Sequence, residues 1–127
     1  MLNTIQEKLR QLKKGDFPAM SEAFTVVHYE RNGHDIFQDW LDGLKDYQVR
    51  NAIQKRIDRL ECGNFGNHHF CRDGVWELVI DKGPGYRVYY SIIGNTIVLL
   101  LCAGDKSSQQ KDINKAIGYL NDFKERN

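Results

Sequence analysis

The sequence has almost no net charge. It carries 18 basic and 17 acidic residues among 127, which gives a formal net charge of +1 at pH 7. A domain that binds nucleic acid through an extended surface usually has a clear basic excess. The overall charge therefore does not indicate nucleic-acid binding, and a basic site would have to be local.

Cysteine is scarce, and long apolar runs are missing. The three cysteines are odd in number and no signal peptide precedes them, which together predict reduced thiols in the cytoplasm. The longest apolar run, residues 96–103, is too short to cross a membrane. His68 and His69 lie between two of the cysteines, but their spacing matches no zinc pattern, so we predict no metal. Acid–base work near RNA is an alternative use of this histidine pair.

The composition that is present suits one globular domain with a sizeable core. Apolar residues make up 41% and charged residues 28% of the chain. Apolar spacing and turn residues predict an ordered series of helices and strands. The predicted helices cover residues 2–14, 34–44, 46–62 and Ser107 or Ser108 to 124, and the predicted strands cover 23–30, 70–72, 75–82, 86–93 and 96–103.

Short, glycine-rich connections join the last four strands and predict antiparallel neighbours. We expect an α+β fold, a small antiparallel sheet with helices packed on one face, plus an extra N-terminal helix. Residues 1–23 form the predicted helical extension and 24–127 the main domain. The extension could pack on its own domain, contact a partner or self-associate. Asp46 is the expected N-cap of the third helix, whose predicted inward residues are Val49, Ile53, Ile57 and Leu60.

Arg87 lies in an apolar strand, in the segment "GPGYRVYY". If Lys82 pairs with Tyr86 across the turn, Asp81 lies directly opposite Arg87 and an ordinary cross-strand ion pair results. The same reasoning across Gly94–Asn95 places Cys102 beside Arg87 and Leu100 beside Tyr89, with Tyr86 and Tyr90 on the more apolar face. Alternatively, Arg87 is presented to a phosphate together with Lys106, which follows four residues after Cys102.

Four segments in order, "GNFG", "DGVWEL", "GPGYRVYY" and "IVLLLCAGDKSSQQKDINKA", resemble the RelE/ParE toxin superfamily, and the HigB-like addiction-module killer proteins most. The resemblance covers residues 24–118. The combination of "GPGYR" with "GDKSSQ" and "DI" carries its specificity. It implies a RelE-like fold of helices on a small antiparallel sheet, in agreement with the fold predicted above.

The resemblance also implies a function. Such proteins are toxins of type II systems, held inactive by an antitoxin, here expected to be a helix-turn-helix protein. Many cleave mRNA on the ribosome with no metal or cofactor, through attack of the ribose 2′-OH on the adjacent phosphate. The expected catalytic residues are Arg87 and Lys106, which stabilise the transition state, and Tyr89, which assists proton transfer. The candidate RNA-binding residues are Lys55, Arg59, Arg72, Lys82 and Lys111.

Two observations keep alternatives open. Val79 stands where members of the superfamily often have an arginine, which would remove a phosphate contact. ParE-like relatives inhibit DNA gyrase, so a gyrase-binding toxin, or a degenerate member that binds only its antitoxin, is the alternative function. The basic stretch of Lys55, Arg56 and Arg59 is either a solvated helix face or an RNA contact.

Overall fold

The computed structural model describes residues 23–127, and the helix predicted for residues 2–14 lies outside this part of the chain. No helix of the described part is long and apolar enough to cross a membrane. The elements in chain order are β1 (Thr25–His28), β2 (Glu30–Arg31), β3 (His34–Asp35), α1 (Ile36–Asp42), α2 (Tyr47–Leu60), β4 (His68–Arg72), β5 (Val75–Ile80), β6 (Tyr86–Ile93), β7 (Ile97–Asp105), a 3-10 turn (Lys106–Ser108) and α3 (Gln109–Arg126).

The α+β class is confirmed, and the main sheet is mixed. Its five strands follow the order β1-β7-β6-β5-β4, while β2 and β3 form a separate small hairpin. Strand β1 runs parallel to β7, and the other neighbours are antiparallel. The prediction of a wholly antiparallel sheet was therefore wrong for β1. The turn lengths correctly predicted the orientation of β4 to β7. No short turn joins β1 to its neighbour in the sheet, so turn length could not predict the direction of β1.

Helices cover both faces of this sheet, which corrects the expectation of helices on one face. Helices α1 and α2 pack on the face that carries Leu78, Val88 and Leu100. Helix α3 packs on the opposite face, against Leu99 and Leu101. The reason lies in β7, where every residue except the last is buried. A strand that is apolar on both sides needs a layer on each side.

The helix ends follow from local hydrogen bonds. The Asp46 carboxylate accepts from the backbone N–H groups of Gln48 (2.9 Å) and Val49 (3.3 Å), which confirms the predicted N-cap of α2. The predicted inward residues of α2, Val49, Ile53, Ile57 and Leu60, are buried. Ser108 precedes α3, but its side chain makes no capping bond.

The loop between β5 and β6 is longer than expected and sets the position of Arg87. It spans residues 81–85 instead of three residues, and Gly83 (φ +52°) and Gly85 (φ +86°) supply its left-handed backbone. As a result Val79, not Asp81, lies opposite Arg87. The register differs by two residues from the prediction, so each side chain keeps its predicted face.

The β6–β7 pairing contains a bulge that the sequence did not reveal. Ile93 pairs with Ile97, one residue later than predicted, and the register shifts again between Tyr89 and Tyr90. Cys102 consequently lies opposite Tyr89 and keeps its predicted face. Leu100 lies opposite Tyr90, on the other face from the one predicted.

Candidate functional site

Arg87 is held by a buried carboxylate. Its Nη1 donates to Glu77 Oε1 at 3.1 Å, and the two side chains are 20% and 7% exposed. The other oxygen of Glu77 accepts from Gln109 Nε2 at 3.2 Å, at the start of α3. The expected ion pair of Arg87 therefore exists, but with Glu77 instead of Asp81. Glu77 is on the same face of β5, one diagonal step from Arg87 across the ladder.

Not all hydrogen-bond donors of Arg87 are used in its pair with Glu77. The Arg87 Nε is buried and has no hydrogen-bond partner among the described residues. A guanidinium has five N–H donors in a planar fork, and this is the geometry that phosphate groups accept. A fifth of the side chain remains in contact with solvent. Arg87 thus has a structural partner and unused donors at the same time.

Tyr89 is paired with Glu77 across the β5–β6 ladder and lies on the same face as Arg87. Its side chain is fully buried, and its hydroxyl has no hydrogen-bond partner in residues 23–127. Burial, and then the charge of Glu77, raise the pKa of Tyr89. A neutral, enclosed hydroxyl is a poor proton carrier for a solvent-facing substrate. Its predicted part in proton transfer stays a prediction that requires the cluster to open.

Lys106 lies at the same end of the sheet as Arg87. Tyr86, the residue before Arg87, pairs with Asp105, the residue before Lys106. The Lys106 backbone N–H donates to the Gly85 carbonyl at 3.2 Å. Its exposed side chain passes over Gly85, with Cδ 3.4 Å from the point that a Cβ there would occupy. Both predicted phosphate-stabilising cations therefore lie next to the Gly85 end of the loop 81–85.

An open groove of about 690 Å³ lies between α2 and the same loop. Three of the predicted RNA-binding residues, Lys55, Arg59 and Lys82, line it. Lys55 and Lys82 are 27 residues apart in the sequence, and the fold brings all three to one groove. Tyr47, at the first position of α2, also lines the groove, with 64% of its surface exposed.

Arg56 is a structural member of the groove. Its guanidinium donates to three backbone carbonyls, those of Val79 (2.6 Å), Phe65 (3.0 Å) and Asn67 (3.0 Å). Burial lowers the pKa of Arg56. This side chain ties α2 to β5 and to the segment before β4, so it fixes the groove's floor.

Two predicted RNA contacts lie elsewhere. Arg72 is at the other end of the sheet, where it pairs with Asp73 at 3.0 Å and donates to the side-chain oxygen of Asn114. Lys111 is exposed on the first turn of α3. The structure therefore groups Lys55, Arg59 and Lys82 around one groove on the α2 side of the sheet, with Arg87 on the α3 side, and it places Arg72 at the far end of the sheet.

The histidine pair has a structural explanation for one member. His68 shares a 2.9 Å hydrogen bond with the Tyr90 hydroxyl and stacks on Trp76, with ring centroids 5.5 Å apart. His69 is exposed. Residues 23–127 contain no cluster of histidine, cysteine and acidic side chains that could hold a metal ion.

A second polar contact lies beside the Arg87 strand. Asp112 of α3 is buried and accepts from the Ser108 hydroxyl at 2.5 Å. A Cβ on Gly104 would lie 2.0 Å from Asp112 Oδ2. Gly104, which pairs with Arg87, therefore leaves the space that lets the start of α3 approach the sheet.

Comparison with known proteins assigns the family. A family described as "Phage derived protein Gp49-like (DUF891)" matches residues 39–118, which is more than half of the chain. The chain belongs to this Gp49-like family. A relative from Haemophilus influenzae, described as an uncharacterized protein, is 49% identical over 80 residues, which cover 63% of this chain and 81% of the relative. The family match, residues 39–118, contains α2, the loop 81–85, Arg87 and Lys106.

Sequence reasoning missed Glu77 and Tyr47. The partner of Arg87 was misplaced because loop length, not residue type, decided the register. A buried glutamate in an apolar strand, as in "WELV", is nevertheless a signal that a cation lies nearby. Tyr47 was missed because a tyrosine directly after an N-cap has no periodic signature of exposure.

Proposed function

We propose that this Gp49-like protein is the toxin of a type II toxin–antitoxin system that cleaves mRNA on the ribosome, in the cytoplasm. The Gp49-like family is related in general to the RelE and HigB toxins, which supports this class. The observation that carries the proposal is the position of Arg87 and Lys106 next to the loop 81–85, whose residues 81–83 line the basic groove on the α2 side of the sheet.

The proposed chemistry needs cations more than any other group. In metal-independent cleavage the 2′-OH gives its proton to a base and attacks phosphorus, the bond from phosphorus to the 5′ oxygen breaks, and that oxygen takes up a proton. The products are a 2′,3′-cyclic phosphate and a 5′-hydroxyl. Negative charge on the phosphoryl oxygens grows on the way to the transition state. Arg87 and Lys106 supply positive charge next to the Gly85 end of the loop, where they stabilise this charge. The proposed partner in the inactive state is a helix-turn-helix antitoxin.

The decisive experiment separates the structural role of Arg87 from a role in phosphate binding. Arg87→Ala and Glu77→Gln both break the ion pair, so a purely structural pair predicts similar losses from both variants. A phosphate-binding Arg87 predicts opposite results. Glu77→Gln keeps a hydrogen-bonding partner for Arg87 and removes a negative charge beside the phosphate, so it should cleave at least as well as wild type.

The readout is the mapping of mRNA 5′ ends in cells after induction of each variant, with soluble protein levels measured in parallel. We expect new ends with wild type and Glu77→Gln, and none with Arg87→Ala. Equal loss in both variants would remove Arg87 from the reaction. Growth arrest by wild type without any new mRNA ends would overturn the nuclease proposal itself.

One observation favours a second function. Val79 lies directly opposite Arg87, at the position where the resemblance leads us to expect another arginine, and Glu77 already neutralises Arg87 in part. A non-enzymatic toxin that binds DNA gyrase, or a member that binds only its antitoxin, fits this reduced charge. Supercoiling defects with intact transcripts would support the gyrase version. Tight antitoxin binding without any growth effect would support the other.

A further inference from the structure

The groove contains a regular row of side chains along α2. Tyr47, Asn51, Lys55 and Arg59 follow one another at intervals of four residues, and all four are exposed. Four residues rise by roughly 6 Å along a helix, and the row turns slowly around it. An aromatic ring, an amide and two cations thus occupy successive steps of one wall of the groove. Lys82, on the loop 81–85, faces them.

The ring of Tyr47 is held in the open. Tyr47 and Phe70 are the two large hydrophobic residues that the described part of the chain leaves exposed, at 64% and 55%. Phe70 is partly covered by an edge-on contact with Trp76, at 5.2 Å between centroids. Tyr47 begins α2 directly after the Asp46 cap, so its backbone is fixed while its ring remains in solvent.

The groove's charge favours an anionic occupant. Four basic residues line it against two acidic ones, Asp46 and Asp81, although the whole chain is nearly neutral. The Asp46 carboxylate is engaged by two backbone N–H groups at the start of α2. Lys55, Arg59 and Lys82 form no ion pair with any described residue. Their charges are therefore available to a ligand.

We propose that the groove is a binding site for single-stranded RNA, in which one base stacks on Tyr47 and the phosphates contact Lys55, Arg59 and Lys82. Exposed aromatic rings beside a basic channel are the common way to bind a single strand. This site rests on the proposed function: the strand is taken to be the substrate, and it has to pass the loop 81–85 to reach Arg87, which lies on the other face of the sheet. An acidic peptide would match the charge but would leave the open ring unused.

Binding can be measured without cleavage. The probe is a fluorescent RNA ten-mer with 2′-O-methyl groups, which lacks the attacking hydroxyl, and the readout is its anisotropy with the full-length protein. Tyr47→Ala should weaken binding about tenfold, and Tyr47→Phe should bind like wild type, because stacking needs the ring and not the hydroxyl. Phe70→Ala is the matched control for loss of an exposed aromatic residue and should change nothing.

The salt dependence tests the phosphate contacts. For single strands, each phosphate contact contributes roughly 0.7 to the slope of the logarithm of affinity against the logarithm of salt concentration. Lys55→Ala and Arg59→Ala should each lower this slope by about 0.7. Lys124→Ala removes an exposed cation at the far end of α3 and should leave the slope unchanged.

The outcomes separate this site from the proposed function. If Tyr47→Ala binds the methylated RNA as tightly as wild type, or if only a polyglutamate peptide and no RNA is bound, the groove proposal is overturned. Cleavage by wild type would then still support the toxin proposal. If the groove variants lose binding but wild type cuts no mRNA in cells, the groove proposal stands and the nuclease proposal falls.

Discussion

The two faces of the sheet differ in the polarity of their buried side chains. The face under α1 and α2 is apolar throughout its buried part. The described chain buries three polar residues, and all lie at the α3 interface: Glu77 and Ser91 on the sheet face under α3, and Asp112 on α3 itself. The enclosed Tyr89 hydroxyl is on this face as well. The first face therefore stabilises the fold mainly by packing, together with the hydrogen bonds of Arg56 and of the His68–Tyr90 pair, whereas the second combines packing with buried polar groups that need partners.

Removal of a large side chain from the apolar face should have the largest effect. Phe37 of α1 is fully buried between α1 and the sheet. Phe37→Ala should lower the free energy of unfolding by about 3–5 kcal/mol, because it removes apolar contacts and leaves a cavity. Urea denaturation measures this. Phe70→Ala is the control and should change the free energy by less than about 0.5 kcal/mol. A loss under 1 kcal/mol for Phe37→Ala would contradict a tightly packed face.

An added methyl group at Gly104, on the face under α3, should lower the free energy of unfolding by less than Phe37→Ala does. Gly104→Ala forces the Asp112 carboxylate away from the sheet and disturbs its bond to Ser108. We expect a loss of about 1–3 kcal/mol in the free energy of unfolding. Gly118 of α3 has open space around its Cβ position, so Gly118→Ala should instead stabilise the helix by up to about 1 kcal/mol. Equal effects of both substitutions would show that α3 does not press on Gly104.

The smallest effect concerns Tyr29 at the β1 edge. Its hydroxyl donates to Asp122 Oδ2 at 2.5 Å, and burial together with this bond raises the pKa of Tyr29 to about 12. In the unfolded chain the tyrosine ionises near pH 10. The folded form binds the proton more tightly, so this contribution to stability is complete below pH 10 and is lost as the pH rises towards 12.

Tyr29→Phe removes both the bond and its pH dependence. We expect a loss of about 1 kcal/mol at neutral pH and a flatter decline of stability between pH 10 and 12. Thermal unfolding at closely spaced pH values measures both. Tyr119→Phe keeps the stacked pair, in which the ring centroids are 5.0 Å apart, and should retain the wild-type slope. An unchanged slope in Tyr29→Phe would assign the alkaline loss to other groups.

The sequence was most informative where structure is local. The Asp46 cap, the inward residues of α2 and, from residue 23 onward, the order of the main strands and helices depend on neighbours within a few positions, and these predictions were confirmed. The position of β1 and the bulge near Cys102 depend on contacts between distant segments, and no pattern of residue types reports them. The unbroken apolar run "IVLLLCA" is a sequence signal for the double-sided burial of β7, although we predicted helices on one face only.

The candidate site divides in the same way. Arg87 was identifiable because a cation in an apolar strand is unusual, but its partner depended on two extra residues in the loop 81–85. The grouping of Lys55, Arg59 and Lys82 needed the packing of α2 beside that loop, which spacing in the sequence does not reveal. Residue types thus suggested the members of the site, and only the fold shows which of them meet.

The parallel pairing of β1 also has a consequence for the order of events during synthesis. Thr25 pairs with Ile97, 72 positions later in the chain. Strand β1 leaves the ribosome early, but its docking edge on β7 does not exist until almost the whole domain has been made. Contacts of such long sequence separation form slowly. Until they form, the outer edge of β7 has unpaired backbone groups, so the nascent domain is exposed to aggregation at the strand that the finished fold buries most completely.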